Sequence, residues 1–271
     1  MHGYPRSRRE TLGLEDIARR HSLRIIYPDR NGYGFTNLNS DRKIADWPAD
    51  VKALAQHLSL YQFALLGGSG SSPYTLVCAH QLPAGMLSGR DLEKAALTTT
   101  LSPCRITASS ARYWPSSYGG LLVFILWMGR RALSSPSGLY AIDKWIEGNL
   151  LTNPQDSAVE LRQVLVNQAF EAFRQGVQPA VLDAQLLTSN WGVKFEDENY
   201  YKAKIWYGTK DRNASVELVM YMAARLPHCT LREFLGGTHF LLQRYLEEVL
   251  LELISKERPG PKISFHRGTP P

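Results

Sequence analysis

Three side chains that could together make a nucleophile stand far apart in this 271-residue chain: Ser69, Asp211 and His239. A serine hydroxyl attacks a carbonyl carbon only weakly until an imidazole accepts its proton. The imidazole in turn needs a carboxylate to fix its tautomer and stabilise its cationic form. Ser69 lies in Leu65-Leu66-Gly67-Gly68-Ser69-Gly70-Ser71, where an apolar run leads into Gly-x-Ser-x-small. A sharp strand-to-helix turn there would strain the central residue, so the positions two away on either side must be small, as Gly67 and Ser71 are. The same turn would lift the Ser69 hydroxyl clear of a sheet and present the Gly70 backbone N–H to an oxyanion. Alone the pattern is weak, because a Gly/Ser cluster after an apolar run is more commonly a plain loop. An isolated aspartate or histidine after a strand is likewise more commonly a loop cap or a solvated group. Context has to decide.

Bringing three such groups together takes strands that end at a common edge, and the chain alternates helical and strand-type segments. Leu12, Leu14, Ile17 and Ala18 recur at helical spacing, Leu23-Arg24-Ile25-Ile26-Tyr27-Pro28 is a short strand-type run, and residues 29–34 are turn-rich. Asp46 is placed to cap a helix carrying Val51, Leu54, Ala55 and Leu58, and residues 63–66 read as a buried strand. Pro73 suits the first turn of the next helix, where its missing N–H is harmless. Asp211 follows the strand-type Lys204-Ile205-Trp206-Tyr207, and a helix over 215–225 and a strand over 230–235 lead to Gly236-Gly237-Thr238-His239-Phe240. A last amphipathic helix covers 240–254. This alternation predicts an α/β fold with a mostly parallel sheet.

Residues 83–199 differ. No strand-type run stands out there, and Trp114, Trp127, Trp145, Trp191, Tyr113, Tyr118 and Tyr140 make the segment aromatic-rich. Its clearest helix spans 159–173, with Leu161, Val164, Leu165, Ala169 and Phe173 on one side. The segment reads as a helical insertion whose aromatics form its own core. The chain thus divides into 1–82 and 200–255 as two parts of one core, 83–199 as the insertion, and 256–271 as a disordered basic tail.

Composition narrows the function. With 44% hydrophobic and 21% charged residues the chain is globular, and its longest apolar run, 121–128, falls far below the roughly 20 residues a bilayer span requires. A cytoplasmic protein with no membrane partner is expected. Much of the net charge of +6 sits at the chain ends, in Arg6, Arg8 and Arg9 and in Lys256, Arg258, Lys262 and Arg267, without a basic stripe or nucleic-acid motif. Three widely spaced cysteines, Cys78, Cys104 and Cys229, suggest neither a disulfide framework nor a metal site.

With these segments in order, the chain resembles the α/β-hydrolase superfamily, and within it the serine hydrolases with a helical cap. The resemblance rests on His2-Gly3-Tyr4-Pro5, Asp29-Arg30-Asn31-Gly32-Tyr33-Gly34, the Ser69 turn with Pro73-Tyr74, Tyr207-Gly208-Thr209-Lys210-Asp211 and Thr238-His239-Phe240. It covers residues 1–82 and about 200–255. It implies Ser69 as nucleophile, His239 as base and Asp211 as acid, with oxyanion donors from Gly70 and, in the His-Gly loop, Tyr4. Asp29 and Arg30 would be structural, and the insertion would wall a pocket for a small ester or acyl substrate, with no cofactor and no metal.

The chain also departs from that pattern. The His-Gly loop begins at residue 2, so the first three strands of the resembled sheet are missing, including one that would lie between Ile25-Ile26 and residues 63–66. Unpaired buried backbone groups cost about 1–3 kcal/mol each against a stability of about 5–15 kcal/mol, so a fragile or N-terminally shortened protein is expected. The sixth strand of the resembled sheet has no clear counterpart in 84–112, and Arg6, where glycine is usual, is placed to crowd the oxyanion site. Three functions fit: an ester-directed serine hydrolase, a hydrolase-like protein that binds without turnover, and a peptide-directed relative.

Overall fold

The computed structural model describes residues 1–11, 14–87, 95–98, 129, 131–132, 134–149, 158–197, 203–211, 213–214, 216–239 and 241–254. Its centre is a parallel sheet of four strands in the order β1 (Leu65–Gly68), β2 (Ala95–Thr98), β3 (Ala203–Gly208) and β4 (Thr230–Phe234). Around it run α1 (Leu14–Arg20), α2 (Trp47–His57), α3 (Ser72–Gln81) and α4 (Ala84–Leu87). Then come α5 (Pro136–Asn149), α6 (Ala158–Ala172), α7 (Gln178–Leu187), α8 (Val216–Arg225) and α9 (Leu241–Ile254).

Side chains alternate across the strands and sort the helices into two layers. Ala203, Ile205 and Tyr207 of β3 pack with Leu76 and Ala79 of α3 and with Val219 and Met222 of α8. Trp206, from the other face of the same strand, packs with Phe234 of β4 and with Val249 and Leu253 of α9. Leu65 likewise faces α2 and α3, and Leu66 faces α1 and α9. Both faces of the sheet are therefore covered, as parallel strands require.

Two expectations about strands are corrected. Residues 95–98 do form a strand, β2, between β1 and β3, although nothing in 84–112 reads as one. Ala-Ala-Leu-Thr is too short and too weak in β-branched residues to stand out, and its pairing on both sides supplies what local preference lacks. Residues 23–28 are not a strand. Ile25 and Tyr27 still pack against Leu14, Ile17, Leu66 and Leu250, but among the described residues the segment pairs with no strand. The Met1 nitrogen donates to Leu66 O of β1 at 2.7 Å.

Beside α3 lies a fully buried polar cluster. Asp183 of α7 has no exposed surface, and its carboxylate accepts from Arg30 (2.6 Å), Tyr33 (3.0 Å), both terminal nitrogens of Arg42 (3.1 and 3.2 Å) and Tyr74 (2.5 Å). Burial pushes this carboxyl up, but Arg30 and then Arg42 outweigh it and hold it at about 2. Arg30 also donates to His2 O at 2.5 Å, and its backbone N–H donates to His2 Nε2 at 3.1 Å. Asp29 accepts from the backbone and guanidinium of Arg8. Asp29 and Arg30 are thus structural, as expected, and they stitch the first loop to the turn at 29–36.

Replacing Asp183 by Asn leaves two buried guanidinium groups without a counter-charge, and urea unfolding at pH 7 is expected to register a loss of about 3–5 kcal/mol. The unaltered chain should weaken in acid in two stages. Burial and then Arg30 hold the His2 imidazole well below 6.5, so stability declines below that pH as only the unfolded chain takes the proton. Asp183, depressed from 3.8 to about 2, contributes fully above 3.8 and loses its contribution as the pH falls towards 2. Urea midpoints across this range check both stages, and Asp183→Asn should remove the lower one.

Candidate active site

The turn between β1 and α3 places Ser69 in the left-handed region at φ +53°, a conformation that residues other than glycine adopt at a cost of about 1–3 kcal/mol. Small neighbours are required around it. A Cβ on Gly67 would collide with Thr75 Oγ1, and one on Gly70 would collide with Tyr4 Cβ. Ser71, small as expected, also braces the turn through its hydroxyl, which accepts from Gly68 N–H at 2.9 Å and lies 3.0 Å from Met1 O.

Asp211 and His239 come from the loops after β3 and β4, which are laced together. Thr209 N–H donates to Phe234 O (3.1 Å), Lys210 N–H to Gly237 O (2.8 Å), and Gly236 N–H to Thr209 Oγ1 (2.8 Å). A Cβ on Gly208 would meet Gly237 O at 2.5 Å, so only glycine lets these loops approach. Asp211, whose side chain is buried, accepts from the N–H groups of Asn213 (2.7 Å) and Ala214 (3.0 Å) through Oδ1. Its carboxylate lies 3.1 and 3.2 Å from His239 Nδ1, and His239 Nε2 lies 3.1 Å from Ser69 Oγ. A carboxylate only accepts, so the ring proton belongs on Nδ1, which leaves Nε2 to accept from the serine hydroxyl. The three side chains named from the sequence, 170 residues apart at the extremes, meet in one chain of hydrogen bonds.

Tyr4 meets the same turn. A Cβ on Gly70 would come within 3.0 Å of Tyr4 N, and one on Gly3 would lie 3.5 Å from Ser69 Cβ. Arg6 does not have the crowding position expected of it: its guanidinium is drawn to Gln168 on α6 at 2.5 Å and faces Glu10 at 3.9 Å. Leu187, at the end of α7, lies 3.3 Å from a Cβ on Gly70, and the Tyr4 side chain packs against Phe173, Val177 and Ala180.

Several residues that shape the site escape a reading of the sequence. Gln168 and Glu171 are buried on α6; of the expected inner face, Phe173 is buried but Leu161, Val164, Leu165 and Ala169 are only half-buried. Tyr140 and Trp145 are exposed rather than part of an insertion core, and Trp114, Trp127, Tyr113 and Tyr118 lie outside the described residues. Asp183 did leave a signal, a lone carboxylate within Pro179-Ala180-Val181-Leu182-Asp183-Ala184. Among the described residues no group of His, Cys, Asp and Glu could hold a metal, and no helix is long and apolar enough to cross a membrane.

No protein-family model matches the chain, and no curated protein matches it. Solved structures do. An esterase from Exiguobacterium antarcticum superposes with a TM-score of 0.66 at 17% identity, covering 93% of this chain and 89% of that one. An esterase from Rhodococcus sp. ECU1013 gives 0.59 at 19% identity, with coverage of 95% and 90%. A bromoperoxidase from Bacillus anthracis gives 0.62 at 15% identity, with coverage of 93% and 89%. An α/β hydrolase fold protein from Nakamurella multipartita is also similar, at 0.58 and 16%. Parallel strands under helices, a strained serine at the end of one strand and loops converging from two others are set out here on the scaffold of these structures, and the chain has the α/β-hydrolase fold.

Proposed function

We propose that the chain is a serine hydrolase of carboxylic esters or related acyl bonds. The observation that carries this reading is the 3.1 Å approach of His239 Nε2 to Ser69 Oγ, with Asp211 on the opposite ring nitrogen and the serine on a strained turn. Ser69 Oγ attacks the substrate carbonyl while its proton passes to His239 Nε2. The Gly70 and Tyr4 N–H groups hold the tetrahedral oxyanion, and Asp211 keeps the ring oriented and supports its positive charge. His239 then protonates the leaving alcohol, which departs and leaves an acyl-serine. Water, deprotonated by the same nitrogen, attacks that ester and frees the acid and Ser69. Helix α7 and the residues leading into it, which meet Tyr4 and Gly70, serve as part of the cap over this site. Two of the similar solved structures are esterases, which supports an ester as substrate.

In the full chain a fluorophosphonate probe should label Ser69, and Ser69→Ala should abolish labelling. Hydrolysis of p-nitrophenyl acetate should fall by about 10⁴–10⁶-fold in Ser69→Ala or His239→Ala, and by about 10⁴-fold in Asp211→Asn, which presents the wrong partner to Nδ1. Full turnover in Ser69→Ala would sink the assignment. A chain that neither labels nor turns over would be a protein that binds without catalysis, and faster cleavage of aminoacyl amides than of aryl esters would move the reading to a peptidase.

Gly70→Ala tests the oxyanion site separately. The added methyl must displace the Tyr4 backbone, so kcat is expected to fall about 10²-fold with little change in KM. Steady-state kinetics on the folded variant check this.

A further inference from the structure

We infer that Gln168, on helix α6, is a positioning residue for the oxyanion donor, holding the loop that aims the Tyr4 N–H at the Ser69 adduct. The inference rests on the hydrolase reading above. It begins with the peptide between Gly3 and Tyr4, which is planar and not cis, so its C=O and its N–H point in opposite directions. Whatever pins Gly3 O therefore aims Tyr4 N–H. Three donors reach that oxygen: His2 Nδ1 at 3.0 Å, the Arg6 backbone N–H at 3.2 Å and Arg30 Nη2 at 3.5 Å. His2 and Arg30 belong to the buried cluster. Arg6 belongs to the outer loop and needs a support of its own.

Gln168 provides that support. It is 4% exposed; its Oε1 accepts from Arg6 Nη1 at 2.5 Å and its Nε2 donates to Arg9 O at 3.0 Å. A guanidinium can only donate and a carbonyl can only accept, so both ends of the amide are committed and its orientation is fixed. One turn along α6, Glu171 accepts from Arg8 at 2.6 Å and faces Arg9 at 3.7 Å, and Arg8 in turn clamps Asp29. Helix α6 thus grips the loop at Arg6, Arg8 and Arg9, and the Ser69 turn closes on the other side, where Gly70 abuts Tyr4. A shift of α6 would move Arg6, then Gly3 O, then the direction of Tyr4 N–H.

The test compares Gln168→Leu, Gln168→Glu and, on the exposed face of the same helix, Gln163→Ala in the full chain. Gln168→Leu keeps similar volume but makes neither bond. It should lower kcat for p-nitrophenyl acetate about 10- to 100-fold with KM within about twofold. A trifluoromethyl ketone, whose adduct with serine carries the same oxyanion, should lose affinity by the same factor. Gln168→Glu keeps the acceptor for Arg6 and should recover part of kcat, while Gln163→Ala should match the unaltered chain. Amide exchange should quicken over residues 2–9 in Gln168→Leu and stay unchanged in α3. Unaltered kcat and inhibitor affinity in Gln168→Leu, or exchange that quickens throughout the chain, would overturn the inference. An unaltered chain without turnover would remove the hydrolase reading instead, and exchange over residues 2–9 alone would then decide whether Gln168 holds the loop.

Discussion

A carboxylate with no access to water has to be met by donors from the protein, and Asp183 sets that demand for a large part of this molecule. Its five hydrogen bonds come from Arg30 and Tyr33 in one turn, Arg42 in the next connection and Tyr74 in the first turns of α3. Losing either arginine strips a buried carboxylate of half its counter-charge, and losing either tyrosine strips it of a hydrogen bond, so the segments cannot drift apart without cost. The cluster fixes α7 against α3, and α7 in turn sets Leu187 beside Gly70 and Val177 and Ala180 against Tyr4. It also reaches the first loop directly, through the Arg30 guanidinium on His2 O. The walls around Ser69 are therefore placed by electrostatics one layer behind them.

His2 links that layer to the site in a way that depends on its protonation. Gly3 O can only accept, so Nδ1 carries the proton, and Nε2 is occupied as acceptor by Arg30 N–H. The ring is neutral with both nitrogens committed, consistent with burial and Arg30 holding it well below its ordinary range. Ser69 at φ +53° stays in its strained conformation because Thr75 and Ser71 crowd the turn from one side and Tyr4 from the other. Strain at Ser69 and neutrality at His2 are maintained by the same packed surroundings.

Much of the candidate site could be read from the chain because the residues that meet there sit at breaks in pattern. Ser69, Asp211 and His239 each follow a strand-type run and a small residue, and their order is informative before any distance is known. The oxyanion role of Tyr4 and the structural part of Asp29 and Arg30 came from resemblance; the structure sets Tyr4 against Gly70 and buries Asp29 and Arg30 among hydrogen bonds. What could not be read depends on partners remote in sequence. Residues 95–98 are a strand because β1 and β3 flank them, whereas residues 23–28 pair with no strand among the described residues. On α6 the apolar spacing pointed to Leu161, Val164 and Leu165, yet arginines more than 150 residues away bury Gln168 and Glu171 instead. Asp46 begins α2 as expected, but its carboxylate turns back to the Lys43 N–H rather than capping the helix.

The pairing of β3 with β4 has a consequence beyond holding the sheet. Tyr207 lies opposite Glu233 and Gly208 opposite Phe234, so both strands reach their last paired residues at the same height, three residues before Asp211 and five before His239. Slipping one strand by a single residue would displace its trailing loop by about 3.3 Å and turn Phe234 from the interior to the solvent side. The alignment of Asp211 with His239 and interior packing thus share one mechanical coordinate. Evolution can lengthen the turns elsewhere with little effect on that coordinate, but it cannot retune the spacing between imidazole and carboxylate by sliding strands without unmaking the fold.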